Sequence, residues 1–218
     1  MRSKTSLDIT TGADQYGPPS EILFPLAGEL VPATPYTIQR AGLVVANDTL
    51  YIGFGKFQVN PPNRNSQEGF VFSYALNDIT KPTHRFQLAN GLGGDVWQAG
   101  RGLPADENGY VYASTGNGFY DGMTNFGDSL VRFDPLLNLA DWYTPDNWPV
   151  LYDADLDLGA SGPILLPGTD YLVAGGKEGV VYLLQRSHMG QLQGSDSGGQ
   201  PNSFRRQADA IRTRAARL

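Results

Sequence analysis

The sequence predicts an all-β fold. Charged residues make up only 17% of its 218 residues, whereas it contains 27 Gly, 15 Pro, 11 Tyr and 10 Phe. Glycine and proline suit turns, and aromatic side chains suit pleated strands better than helices. Apolar and polar residues also alternate in short runs such as Tyr110–Ser114, which is the period of a half-buried strand. A hydrophobic content of 40% is enough to bury a sizeable core.

Three segments follow one plan, in which an apolar strand, a turn, an aromatic strand, a glycine loop and a further strand succeed one another. Units of roughly 50 to 70 residues with four antiparallel strands have the size of propeller blades. The sequence therefore predicts an incomplete β-propeller of about three four-stranded antiparallel blades within residues 1–190, with unrelated hairpins as the alternative. The repeats are "AGLVVANDTLYIGFG" with "EGFVFSYALNDITKPTHRF", "GRGLPADENGYVYASTGNG" with "DSLVRFDPLLNLADWY", and "SGPILLPGTDYLVAGGKEGVVYLLQR".

In these repeats an acid or amide residue precedes an aromatic residue by eight or nine positions. The Asx side chain can bond the backbone amides of a tight turn, and the ring can pack on the neighbouring sheet. We therefore predict that the three rings occupy equivalent places in successive blades. The pairs are Asp8 with Tyr16, Asn77 with Phe86, and Asp134 with Trp142. The chain is expected to begin inside such a unit, because "SLDITTGADQY" matches only its last two strands.

Residues 191–218 differ in composition from the rest of the chain. They are rich in Gly, Ser, Gln and Arg, which predicts a flexible Arg-rich C-terminal tail. A short basic amphipathic helix is the alternative, since five of its residues fall on one helical face. Those residues are Phe204, Ala208, Ile211, Ala215 and Leu218.

Charge and cysteine content exclude several functions. The net charge of −6 argues against nucleic acid and anionic membrane partners, which require a basic face. Without cysteine there are no disulfides, thiolate metal sites or cysteine nucleophiles, and two histidines are too few for a multi-histidine metal site. The sequence has no membrane-spanning apolar run and no apolar signal segment after Met1, so as written the chain would stay in the cytoplasm.

The stretch "GGDVWQAGRGLPADENGYVYASTGNG" resembles the pyrroloquinoline-quinone (PQQ) dehydrogenase-like β-propellers. The "SLDITTGADQY" turn resembles their repeat signature, with Tyr16 where Trp is usual. The similarity runs from about residue 5 to 190 and covers roughly three blades of what is usually an eight-bladed ring. It implies a periplasmic or extracellular protein whose missing blades are needed to close the ring.

The resemblance implies a set of cofactor-binding residues. Trp97, after a Gly-Gly pair, matches the aromatic platform under the quinone, and Asn117 in "STGNG" matches a calcium ligand. Lys177 in "GGKEG" matches the cation that contacts the quinone oxygens. The glycines would then let the loop approach a cofactor, whereas a phosphate site is excluded because no P-loop lysine follows. Each residue also has a plain alternative as a packing, turn-forming or exposed residue.

The segment "DADLDLGASGPILL" occupies the place where this family carries its catalytic aspartate. Asp155 or Asp157 would be the base that removes a hydroxyl proton. In an extended segment Asp153, Asp155 and Asp157 share one face, so repulsion should raise at least one pKa unless a cation intervenes. The family's calcium-binding Glu has no clear match, since Glu68 stands next to the following strand.

These features lead to two functional hypotheses. The first is a fragment of a PQQ-dependent dehydrogenase-like propeller, which would oxidise an alcohol or sugar with PQQ and calcium and is not expected to be active alone. The second is a non-catalytic repeat scaffold that binds a protein or carbohydrate through its loops. The fold by itself does not distinguish them.

Overall fold

The computed structural model describes residues 3–4, 8–15, 17, 20–26, 29–32, 37–57, 67–193 and 206–207. These residues form short strands, one seven-residue helix and two 3-10 turns, which confirms the predicted all-β class. The strands are β1 (Ser3–Lys4), β2 (Ser20–Glu21), β3 (Leu23–Leu26), β4 (Glu29–Pro32), β5 (Thr37–Ile38), β6 (Val44–Ala46), β7 (Thr49–Phe57), β8 (Gln67–Ala75), β9 (His84–Gln87), β10 (Leu92–Gly93), β11 (Val111–Ser114), β12 (Leu130–Phe133), β13 (Leu139–Pro145), β14 (Ile164–Leu165), β15 (Tyr171–Gly175), β16 (Val180–Gln185), β17 (Gln191–Gln193) and β18 (Arg206–Gln207). The helix α1 spans Trp148–Ala154, and the 3-10 turns span Gln98–Gly100 and Leu158–Ala160.

Three sheets carry the blade architecture. The first sheet is an antiparallel series of β6, β7, β8 and β9, with β5 also beside β7 and β10 parallel to β8. The second sheet has the order β11-β12-β13-β17, and the third has the order β14-β15-β16-β18. Smaller two-stranded sheets pair β1 with β2 and β3 with β4. Within the described residues none of the sheets closes on itself, so the fold is an incomplete propeller, as predicted.

The sheets pack face to face through alternating side chains. Between the first and second sheets, Tyr51 and Val71 meet Val111 and Phe133 in one buried cluster. The other face of the first sheet surrounds the ring of Phe24 from β3. Between the second and third sheets the buried side chains include Tyr112, Leu130, Tyr143, Leu172 and Tyr182. The first and second sheets therefore bury both faces of their central strands. The third sheet buries one face only, since Tyr171 and Val181 on its other face are exposed.

The predicted equivalence of Phe86 and Trp142 is wrong, because their positions in the two sheets differ by one residue. Phe86 lies opposite Val71, and Trp142 lies opposite Val131, yet both rings pack on the core between the first and second sheets. Phe86 therefore faces the second sheet, whereas Trp142 faces back towards the first. Because strand side chains alternate with a period of two, a one-residue shift reverses the face. Tyr16 lies outside the described residues.

The Asx turns that the sequence predicted do form. The carboxylates of Asp8 and Asp134 accept backbone amides two or more residues further on, including those of Thr10 and Leu136. In the first sheet Asp78, not Asn77, is the turn residue, and its Oδ1 accepts the Thr80 amide at 2.9 Å.

The predicted tail falls almost entirely outside the described residues. Its described parts are β17, which pairs in parallel with β13, and β18, which pairs with β16. The residues of the amphipathic helix considered above all lie outside the described ranges. In the part of the chain that the structure describes, no helix has the length and apolar character needed to cross a membrane.

Candidate functional site

One end of the second and third sheets gathers the polar residues singled out in the sequence. Asn117 follows β11, Asp155 and Asp157 follow α1, and Lys177 follows β15. Adjacent sheets stacked in the same sense present corresponding loops on one side. Four of the five predicted site residues therefore meet at this end.

Asp157 lies at the centre of the group. Its side chain is buried, and its Oδ1 accepts the backbone N–H of Asn117 at 2.7 Å. Its Oδ2 lies 2.5 Å from Nζ of Lys177. The Asp157 carbonyl also accepts the Lys177 backbone N–H at 3.0 Å. The carboxylate thus connects the loop after β11 to the loop after β15 through charge-assisted bonds.

Lys177 neutralises two carboxylates at once. Its Nζ lies 3.2 Å from Asp155 Oδ2 and 3.1 Å from the Asp155 carbonyl oxygen. Partial burial lowers the pKa of Lys177, but the hydrogen bond and charge of Asp157, with those of Asp155, outweigh it and raise the pKa above its usual value. Lys177 remains protonated at any physiological pH and holds both acids in place.

The acidic segment does not have the extended conformation assumed from the sequence. Asp153 lies in α1, and Asp155 ends that helix in the left-handed region with φ 55°. Pro149 in the first turn favours a helix start here, because its fixed φ is helical and its missing N–H is not needed. The three aspartates therefore do not share one strand face, and the ammonium group of Lys177 is the cation that intervenes between Asp155 and Asp157.

The loop carrying Asn117 is held by backbone contacts to the first sheet. The Gly116 amide donates to the Asp95 carbonyl at 2.8 Å, and the Asn117 carbonyl accepts the Gly94 amide at 3.0 Å. The side-chain Oδ1 of Asn117 is buried and accepts no hydrogen bond. An amide oxygen in this state is available to a ligand that brings positive charge.

Close backbone packing brings the Asp157 loop against the Asn117 loop. A Cβ placed on Gly159 would lie 2.4 Å from the carbonyl carbon of Thr115 and 2.6 Å from the Gly116 nitrogen. No real side chain accepts such distances, so glycine is required for this approach.

Asp128 is a buried member of this site that the sequence analysis missed. Its side chain has no exposed surface, and its Oδ1 accepts the Leu158 amide at 3.1 Å. Burial raises the pKa of Asp128; the Leu158 amide opposes this and the charge of Asp157 adds to it, giving a pKa of about 7. The only sequence signal was its place two residues before β12, whose first residue pairs with the last residue of β11.

Trp97 occupies the neighbouring loop. Val96 forms a bridge with Thr115, and the guanidinium carbon of Arg40 lies 4.5 Å from the centre of the Trp97 ring. Gln98 follows with φ 36° and a fully buried side chain, whose Oε1 accepts the Ser114 amide at 3.0 Å. The strained turn therefore fixes Trp97 beside β11, with a cation on one face of its ring.

A metal ion at this end of the sheets would need oxygen ligands. Asn117 Oδ1 fits an oxygen-seeking cation, because it is buried and carries no hydrogen bond. Asp157 supplies a carboxylate next to it, although Lys177 already binds its Oδ2. Among the described residues no group of three or more His, Cys, Asp and Glu side chains has metal-binding geometry. Within the described residues these donors therefore do not enclose a cation by themselves.

A separate groove of about 580 Å³ lies at the opposite end of the second and third sheets. Its walls are Ala105–Glu107 and Leu165–Asp170, and Arg186 at its side donates to Glu107 and to the Thr169 carbonyl. None of the predicted site residues lines this groove.

Comparison with known proteins gives a distant structural likeness. No family model matches the sequence, and no curated protein matches it. Among solved structures, the chain is similar to a europium-containing methanol dehydrogenase, with 16% identity and a TM-score of 0.57. The match covers 86% of this chain and 38% of that one, so the chain spans well under half the length of the methanol dehydrogenase. At this identity the likeness shows a shared fold.

Proposed function

We propose that this chain is part of a PQQ-dependent dehydrogenase-like β-propeller, which oxidises an alcohol or sugar and is not active as this chain alone. One observation carries the proposal: the buried carboxylate of Asp157 is held between the Asn117 amide and the Lys177 ammonium group. The two contacts fix the direction of the carboxylate, and a base that accepts a hydroxyl proton must be held in one position. The fold shared with a methanol dehydrogenase supports the same reading.

Each residue of the proposed site has a separate role. Asp157 is the better candidate base, because it is buried and its direction is fixed by two partners, whereas Asp155 is exposed and mainly orients Lys177. Asn117 Oδ1 would bind calcium or a similar cation, Trp97 would stack on the quinone, and Lys177 would contact its oxygens. When bound, PQQ supplies the hydride acceptor and the cation polarises it.

The proposed site needs residues from further blades. Trp97, Asn117, Asp157 and Lys177 come from loops of three sheets, and a ligand on a ring axis contacts further blades. We propose that those blades come from elsewhere in a complete ring and that the assembly works in the periplasm or outside the cell.

Quenching of tryptophan fluorescence by PQQ tests the proposal. The chain has three Trp residues, so Trp97→Phe identifies the platform and Trp148→Phe, on α1, is the matched control. We expect weak quenching that needs Ca²⁺ and is lost in Trp97→Phe but kept in Trp148→Phe. Binding is weak because only part of the ring's contacts must offset an association cost of about 4 to 15 kcal/mol. Absence of any Ca²⁺-dependent response in a folded, full-ring protein would favour the scaffold hypothesis.

A further inference from the structure

Asp128 joins the two loops that form the candidate site. Its own amide donates to the Gly116 carbonyl at 2.9 Å, one residue before Asn117. Its Oδ1 accepts the Leu158 amide, one residue after Asp157. The backbone of Asp128 has φ 46°, in the left-handed region that is costly for a residue with a side chain. The contacts on both sides keep it in this conformation.

A carboxyl group at this place is chemically costly. The side chain of Asp128 is fully buried, and its Oδ2 has no hydrogen-bond partner. A neutral acceptor could satisfy the Leu158 amide without the desolvation of an ionisable group. The charge of Asp157 acts on Asp128, and Lys177 is engaged by Asp155 and Asp157. The Asp128 carboxyl group, with these neighbours, therefore does more in this site than fill space.

We propose that Asp128 is a positioning residue, which fixes the Leu158 backbone and thereby aims the Asp157 carboxylate at the Asn117 amide. The inference rests on the proposed function of the Asn117–Asp157–Lys177 group. Asp128 touches neither substrate nor cofactor. It acts through one peptide unit, in the way that outer partners orient the ligands of metal sites.

Two readouts test this role in the full chain. The first is hydrogen exchange of the Asn117 amide measured by NMR, since that N–H donates to Asp157 Oδ1. The second is the affinity for Tb³⁺ measured by sensitised luminescence. The variants are Asp128→Ala, which removes the acceptor, and Asp128→Asn, which keeps an acceptor oxygen. Asp134→Ala is the matched control, because Asp134 holds a turn at the opposite end of β12.

In Asp128→Ala we expect faster exchange of the Asn117 amide and a loss of Tb³⁺ affinity of about 10- to 100-fold, the range for outer partners of metal ligands. Asp128→Asn should restore both, and Asp134→Ala should change neither although it lowers stability. Wild-type exchange of the Asn117 amide in Asp128→Ala, or equal effects in Asp134→Ala, would overturn the proposal. If Asp128→Ala does not fold, Asp128→Ser, whose hydroxyl is too short to reach the Leu158 amide, replaces it.

The two hypotheses fail in different ways. If wild-type protein does not bind Tb³⁺, the cation-binding part of the proposed function fails. The exchange rate of the Asn117 amide still decides whether Asp128 aims Asp157.

Discussion

The ammonium group of Lys177 lies 2.5 Å from Asp157 Oδ2, while Asp157 Oδ1 accepts the backbone N–H of Asn117. In the proposed site a metal ion would use Asp157 Oδ2 as a ligand. A protein cation and a metal ion would therefore compete for the same oxygen. This competition makes the site testable without any cofactor.

We expect Lys177→Met to raise the affinity for Tb³⁺ or Ca²⁺. Removing the lysine leaves the buried Asp157 Oδ2 without its counter-charge, so a metal ion no longer has to displace the ammonium group. A displacement cost of about 1.4 kcal/mol corresponds to about a tenfold gain in metal affinity. Luminescence titration measures it, with Lys177→Arg as the control that keeps the charge. A lower affinity in Lys177→Met would mean that the lysine supports the site rather than competing for it.

We expect stability to fall as pH rises from about 4 to about 7 because of Asp128. Its folded pKa of about 7 is above the ordinary value of 3.8, so the folded protein binds a proton in this window that the unfolded chain has released. The slope is at most about 1.4 kcal/mol of unfolding free energy per pH unit. Urea unfolding from pH 4 to 8 measures it, and Asp128→Asn should flatten the curve. The same slope in both proteins would refute the assignment.

The acid side of the profile depends on other aspartates. Burial raises the pKa of Asp121, but its hydrogen bonds with Asn125, Met123 and Thr124 outweigh this and lower it below the usual range. The stabilisation that ionised Asp121 gives the folded state is present above the unfolded pKa and is lost as pH falls below about 4. Asp121→Asn should reduce the acid loss of stability while leaving the slope between pH 4 and 7 unchanged.

We expect Gly159→Ala to separate the two loops of the site. The added Cβ would lie 2.4 Å from a backbone atom of Thr115, which side-chain rotation cannot relieve. Overpacking of this kind costs about 1 to 3 kcal/mol of unfolding free energy. Gly175→Ala is the matched control, since its nearest atom would be the Val180 carbonyl oxygen at 3.4 Å. Equal urea midpoints for the two variants would contradict the close approach.

We expect Phe24→Ala to lower the unfolding free energy by about 3 to 5 kcal/mol, the usual cost of deleting a buried ring. Phe24 is fully buried, and its centroid lies 5.2 to 5.3 Å from those of Phe54, Phe70 and Phe72. Exposed Leu30→Ala in β4 is the control and should change stability little. A small effect of Phe24→Ala would show that β3 does not belong to the core.

The strands and the three blades could be predicted from the sequence because the repeats recur along the chain. The sheet face on which each ring lies could not be predicted, because an eight-residue spacing does not fix the alternation of side chains across the intervening turn. This is why Phe86 and Trp142 face each other's sheets. The turn residue of the first sheet also lies one position later than predicted, at Asp78 instead of Asn77.

Within the site, the loops after β11 and β15 were found because glycines and polar residues interrupt apolar runs there. The helix at Trp148–Ala154 could not be predicted from the alternating Asp153, Asp155 and Asp157, which favour an extended segment, although Pro149 is a signal for a helix start. Asp128 was missed because it lies eleven positions after Asn117. The two residues come close because the chain turns back after Asn117, so that the Asp128 amide donates to the Gly116 carbonyl.

The parallel pairing of β17 with β13 has a consequence for how the molecule is made. Three strands of the third sheet, β14 to β16, lie between these two paired strands in the chain. The Met189 amide adds to the connection by donating to Asp141 Oδ2 at 2.8 Å. During ribosomal synthesis the second sheet therefore gains its last strand only after β14, β15 and β16 of the third sheet have emerged. Closing this long loop costs entropy before its bonds form, so completion of the second sheet should be a late step of folding.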